Sequence, residues 1–224
     1  MNNNKSQNWG NTLVSFALMV AVWAFLFGSW QFSAVFLVLL GIHEMGHFVV
    51  ARALGMNVSA PIFTQLGALI NMRESPNNAF DEALMAYGGP FIGSLGALGC
   101  LVLGHMAGIP LLIMAAKAAF WLNLFNLIPL SPMDGGRISM AITRHLWVLG
   151  VLLFGGLLYL TNFDLWTLLI AVFIGQQAWN DVRYRSFMSV QQPEYFAIGT
   201  AKRVGVTLAY AGLIAALVFA LVTL

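Results

Sequence analysis

The sequence predicts an all-α polytopic membrane protein, and three observations carry that prediction. Hydrophobic residues make up 60% of the chain and charged residues only 8%, against about a quarter charged in a soluble domain. Six or seven apolar runs long enough for membrane helices follow one another along the 224 residues. The basic residues between them fall almost entirely on one side, as expected of a chain held across a bilayer in one orientation. The net charge of +2 comes from few groups, so no nucleic-acid partner is predicted. Cys100 is the sole cysteine. It excludes an intrachain disulfide and suits a small packing position.

The first span is predicted over about Leu13 to Phe27, bracketed by Trp9 and Trp30 as interfacial anchors. A cleaved signal peptide is the competing reading, and the length of the run with no small-x-small cleavage site speaks against it. Ser33 to Leu54 forms the second span. Residues Asn57 to Met72, interrupted by Pro61 and Gly67 and rich in β-favouring side chains, predict a short hairpin or re-entrant loop. Such backbone is tolerated at membrane depth only against protein or a wet cavity, so it is expected beside a functional site, with an ordinary surface loop as the alternative reading.

Asp81 and Glu82 open a third span running to about Leu103, the acids favouring the positive end of the helix dipole. Gly88-Gly89-Pro90 is expected to disturb its first turns, and the stripe Gly89, Gly93, Gly96, Gly99 and Gly104 reads as helix packing. A fourth span runs from Pro110 to Asn126, and three more follow at about Leu146 to Leu160, Leu165 to Trp179 and Val204 to Leu224, the fifth being the shortest. With seven spans, Lys5, Arg52, Arg73, Arg137, Arg144, Arg183, Arg185, Lys202 and Arg203 share one face, and Asp164 is the fixed charge of the other. The positive-inside rule then sets the N-terminus in the cytoplasm and the C-terminus outside.

His43-Glu44-Met45-Gly46-His47 lies in the second span. Residues four apart share a helix face, so His43 and His47 can offer two imidazole nitrogens to one metal ion beside Glu44. With four His and four Glu in the chain, a chance H-E-x-x-H has odds of roughly one in a thousand. A catalytic zinc takes three protein ligands and keeps one position open. Neither Glu74 nor Glu82 has an Asp four residues on, which leaves Asp134, in Pro129-Leu-Ser-Pro132-Met-Asp134-Gly135-Gly136, as the candidate third ligand. The prolines are expected to stop the fourth helix near Asn126 and to present Asp134 on a fixed, non-helical backbone.

H-E-M-G-H-F-V-V-A-R-A-L-G, Q-L-G-A-L-I-N-M, D-E-A-L-M-A-Y-G-G-P and N-L-I-P-L-S-P-M-D-G-G-R, in that order over about residues 41 to 137, resemble the site-2 protease family of intramembrane zinc metalloproteases. The resemblance implies a three-helix catalytic core, one Zn2+ held by His43, His47 and Asp134, Glu44 as general base, and cleavage of membrane-spanning proteins near the cytosol. Gly93 and Ser131 depart from the family's usual Asn and Pro but spare the ligand positions. The expected organisation is one membrane-embedded domain over 1–224, with the core at about 33–137 and accessory helices at about 12–30 and 146–224. It is a compact member without evident PDZ or CBS domain, placed by family and size in a bacterial inner membrane.

Asn126 and Asn123 are candidates to hydrogen-bond the developing oxyanion or the substrate. Lys117, inside the fourth span, is expected to snorkel outward, and His105 and His145 to be solvated loop histidines. The polar stretch Arg183 to Arg203 reads as a connector. The alternative function is a catalytically silent membrane scaffold on the same fold. A metal transporter is disfavoured because the ligands cluster at one depth. Nothing in the sequence specifies an oligomer.

Overall fold

Each of the seven apolar runs is a helix, and an eighth, shorter helix lies between the fourth and fifth. The computed structural model describes residues 9–58, 62–64, 67–69, 76–143 and 145–224. The helices are α1 (Trp9–Phe27), α2 (Trp30–Ala53), α3 (Ala79–Ala107), α4 (Pro110–Asn126), α5 (Asp134–Ile142), α6 (Trp147–Leu160), α7 (Leu165–Gln191) and α8 (Thr200–Thr223). A 3-10 turn at Pro193–Phe196 precedes α8. Of these, α2, α3 and α8 are long and apolar enough to cross a bilayer. Bulky apolar side chains such as Phe25, Met106, Leu160 and Phe219 face outward, as in an integral membrane protein whose solvent is lipid.

Local chemistry sets the helix ends. Ser29 caps α2, its Oγ accepting from Phe32 N at 3.2 Å. Asn78 caps α3 in the same way, accepting from Asp81 N at 2.9 Å while its amide returns a bond to Asp81 Oδ2. The third span thus starts two residues earlier than predicted and runs four further, ending at Gly108 with φ of 64°, a left-handed cap that glycine adopts without strain. Pro90 does not break it. It sits buried inside a continuous α3.

Within the predicted extended stretch 57–72, β1 (Ile62–Thr64) and β2 (Gly67–Leu69) pair antiparallel with Phe63 opposite Ala68. The rest of that stretch lies partly outside the described residues. The hairpin's backbone runs beside α1 and α2.

The core sits where α2, α3, α4, α5 and α8 meet. Its alanines, Ala83, Ala86, Ala97, Ala115, Ala116, Ala119 and Ala141, are fully buried or nearly so, because small side chains let membrane helices approach closely. The tightest approach is the crossing of α2 and α3, where a methyl group on Gly46 would overlap the carbonyl of Gly88. A separate cluster of Leu130, Met133, Phe154, Ile174 and Ala178 joins α6 and α7 to the segment before α5.

The predicted connector from Arg183 to Arg203 is a correction. Helix α7 continues through it to Gln191, supported by Asp181 and Arg185 one turn apart, with Nε to Oδ2 at 2.6 Å. The Arg185 guanidinium also reaches Glu82 Oε1 at 3.3 Å, and Tyr195 Oη donates to Glu82 Oε2 at 2.8 Å. These bonds tie α7 and the 3-10 turn to the first turns of α3. Burial and the neighbouring Glu82 carboxylate push the Tyr195 hydroxyl above its ordinary value, so it stays a donor at neutral pH.

Candidate metal centre

His43 and His47 lie one turn apart on the buried face of α2, 3% and 8% exposed. Asp134 reaches them from another part of the chain. Its Oδ2 stands 3.3 Å from Nε2 of each histidine, and the two Nε2 atoms are 3.2 Å apart. A tetrahedron with metal bonds of about 2.0–2.1 Å has edges of about 3.3–3.4 Å. The triangle therefore has the dimensions of three zinc ligands, with one vertex left over.

Protonation points the same way. His47 Nδ1 lies 2.8 Å from the carbonyl of Met85, which can only accept, and His43 Nδ1 lies 2.7 Å from Asn123 Oδ1. Both Nδ1 atoms therefore donate, and neutral imidazoles then turn both Nε2 lone pairs toward the Asp134 carboxylate. Two lone pairs and an anion facing one another repel unless a metal cation or a proton lies among them. The donor set of two imidazoles and a carboxylate suits zinc. Glu44, next in sequence to His43, is half-buried and within electrostatic reach of His43, His47, Asp134 and Arg137.

The glycines of α3 make the room. A methyl group on Gly89 would enter the His47 ring, and one on Gly93 would stand 2.6 Å from Asn123 Oδ1 and 3.0 Å from His43 Cβ. These two were expected to serve packing alone. The matched spacing was the available signal, since Gly89 and Gly93 are four apart on α3 as His43 and His47 are on α2.

Asp134 departs from its predicted setting. It is the first residue of α5, not part of an extended stretch. The fourth helix does stop at Asn126, and the turn that follows folds the chain back so tightly that a methyl on Gly135 would overlap the carbonyls of Leu127 and Ile128. Gly136 is also crowded, its added carbon 2.7 Å from Ser131 N. The paired glycines therefore serve this backbone contact and leave Asp134 at the start of a helix.

Asn123 is 1% exposed, with its oxygen on His43 Nδ1. Asn126 closes α4 and is half-buried.

Part of the chain is similar to known proteins. Residues 31–109, spanning α2, the hairpin and α3, match peptidase family M50. Over that stretch, about a third of its length, the chain is similar to that family. A zinc metalloprotease of Methanocaldococcus jannaschii is 32% identical over 120 residues, which cover 50% of this chain and 35% of that protein. The protein Rip3 of Mycobacterium tuberculosis is 32% identical over 117 residues, covering 47% and 28%. The chain thus spans about a third of the length of these relatives. Among solved structures, the site-2 protease from Methanocaldococcus jannaschii superposes with a TM-score of 0.51 at 23% identity, over 75% of this chain and 88% of that one. The fold is shared. The M50 match ends before α4, so Asn123, Asp134 and everything in α5 to α8 are placed by the structure of this chain.

The other residues weighed lie away from the triangle. Lys117 Nζ donates to the backbone oxygen of Leu224 at the end of α8, consistent with a charge directed outward. His105 falls in the last turn of α3 instead of a loop, and both it and His145 are exposed. Asp164 caps the start of α7, accepting from Thr167 N at 3.1 Å.

Proposed function

We propose that this chain is an intramembrane zinc endopeptidase that hydrolyses peptide bonds of membrane-spanning proteins near the cytoplasmic side, with six or seven spans and the basic face inward. The observation that carries the reading is the buried triangle of His43, His47 and Asp134 beside Glu44. A zinc ion held there supplies Lewis acidity, which acidifies water and polarises a peptide carbonyl. Glu44 takes the proton from the attacking water and returns it to the leaving amine. Asn123 and the Met85 carbonyl hold the two imidazoles with Nε2 turned inward. The Asn126 amide is the proposed donor to the substrate oxygen as charge develops on it.

A helical substrate hides its carbonyls in its own hydrogen bonds and has to unwind before attack. Purified, zinc-loaded protein should therefore cut synthetic single-span substrates that carry a Gly or Asn near the cytoplasmic end of the span, and all-leucine spans several-fold more slowly. Mass spectrometry of the products should place one new terminus inside the span. Absence of cutting in any substrate of such a panel would count against the endopeptidase.

An unwound substrate needs a partner for its bare backbone, and the β1–β2 hairpin offers an edge. Proline placed in turn at each of positions 62–64 and 67–69 is expected to slow cleavage by about an order of magnitude at the edge-pairing positions, with zinc retained. Unchanged cleavage across all six would rule out strand pairing there.

A further inference from the structure

Three backbone carbonyls, those of Leu127, Ile128 and Ile142, border the helix that carries Asp134, and α8, which lies outside the family match, bonds to two of them. The last carbonyls of α4 have no helical partner, and inside a membrane no water replaces it. Tyr210, buried on α8, donates its hydroxyl to the carbonyl of Leu127, the residue just past α4. That same carbonyl, with that of Ile128, is the surface on which Gly135 rests, one residue from Asp134. At the other end of α5, Arg203 Nη1 donates to the carbonyl of Ile142 at 2.8 Å, where a positive charge also favours the negative end of the helix dipole. Val206, Tyr210 and Leu213 belong to the same buried cluster as Ile138 and Ala141.

We infer that α8 is a two-point brace on α5, in which Tyr210 and Arg203 act as positioning residues that hold the Asp134 carboxylate at ligand distance from His43 and His47. The inference rests on the zinc reading above. Asp134 needs such a brace more than the histidines do. They stand on a 24-residue helix, whereas Asp134 opens a nine-residue one that follows a non-helical turn and has no length of its own to fix its direction. A carboxylate displaced by a fraction of an ångström leaves the zinc with two ligands at full strength and one weakened.

The test compares wild type, Tyr210→Phe, Arg203→Met, Arg203→Lys and Leu213→Ala in detergent. Zinc affinity is measured by competition with a chromophoric chelator, the visible absorption of the Co2+-loaded protein is recorded as a signature of ligand geometry, and thermal unfolding of the metal-free protein is followed. Loss of a bond that orients a ligand is expected to weaken zinc by about 10-fold or more. Tyr210→Phe and Arg203→Met should each do so and alter the Co2+ spectrum, with Arg203→Lys recovering part of the affinity. Leu213→Ala, which loosens α8 without touching either bond, should lower the unfolding temperature and leave zinc affinity and spectrum as in wild type.

Wild-type affinity and spectrum in both Tyr210→Phe and Arg203→Met would overturn the brace. So would an equal loss of affinity in Leu213→Ala, because the effect would then be general loosening. If Tyr210→Phe does not fold, Arg203→Met against Arg203→Lys decides alone. A folded wild type that binds no zinc would overturn the zinc reading and the brace with it, an outcome distinct from tight wild-type binding that the variants share.

Discussion

Glu44→Gln should abolish cleavage while leaving the metal in place. The substitution keeps the size and most of the polarity of the side chain but removes its ability to take a proton. Proton transfer by a positioned carboxylate is worth about 10²–10⁴ in rate, and in the proposed mechanism one group serves both the attacking water and the leaving amine. A loss of about 10³-fold or more in turnover is therefore expected. Zinc content should not change, because the proposed ligand atoms, His43 Nε2, His47 Nε2 and Asp134 Oδ2, are untouched. The measurement is bound zinc by elemental analysis alongside product formation from a single-span substrate. Equal cleavage by the variant would remove Glu44 from the chemistry. Equal silence in both proteins, each carrying zinc, would favour the scaffold reading over the enzyme.

Gly89→Ala should have the opposite signature, losing the metal first and cleavage with it. The added methyl would fall inside the volume of the His47 ring. Overpacking of this kind costs about 1–3 kcal/mol when side chains can shift, which a helical core of this size tolerates. His47 cannot shift without consequence, since its Nδ1 is bonded to Met85 and its Nε2 belongs to the triangle. Moving a ligand outright should exceed the 10–100-fold loss of affinity seen when only its supporting partner is removed, so zinc binding is expected to fall by at least about 10²-fold. The helical circular dichroism of the protein should remain close to wild type. A Gly89→Ala protein that holds zinc as tightly as wild type would show that α3 does not confine His47. The contrast with Glu44→Gln separates a residue that acts on the reaction from one that makes room for the metal.

Much of this architecture is legible without coordinates, and the reasons are specific. Apolar runs show as spans because lipid tolerates few charges, and all seven are helices. His43 and His47 sit on one helix four apart, so the spacing alone places both imidazoles on one face. Asp134 could be singled out from residue types and from the prolines that stop α4 at Asn126. Its helical setting could not, because Gly135 and Gly136 read locally as a turn, and only their contact with the carbonyls and amide of residues 127–131 explains why a helix with two glycines in its first turn forms there. The same holds for α7. Its polar end reads as a connector until Arg185 and Tyr195 are seen to close on Glu82 of α3, about a hundred residues away in sequence.

The sequence by itself determined the membrane class, the seven apolar helical runs, the pair of histidines and the glutamate beside them, because each rests on composition or on a spacing within one helix. The tertiary structure decided what completes and supports the site: the distance at which Asp134 meets the histidines, the place of Asn123 behind His43, the glycines that accommodate the imidazoles, and the bonds from α8 to the two ends of α5. Those are contacts between elements far apart in the chain. Helical periodicity says which face a residue lies on, and only the packing of one helix on another says what that face meets.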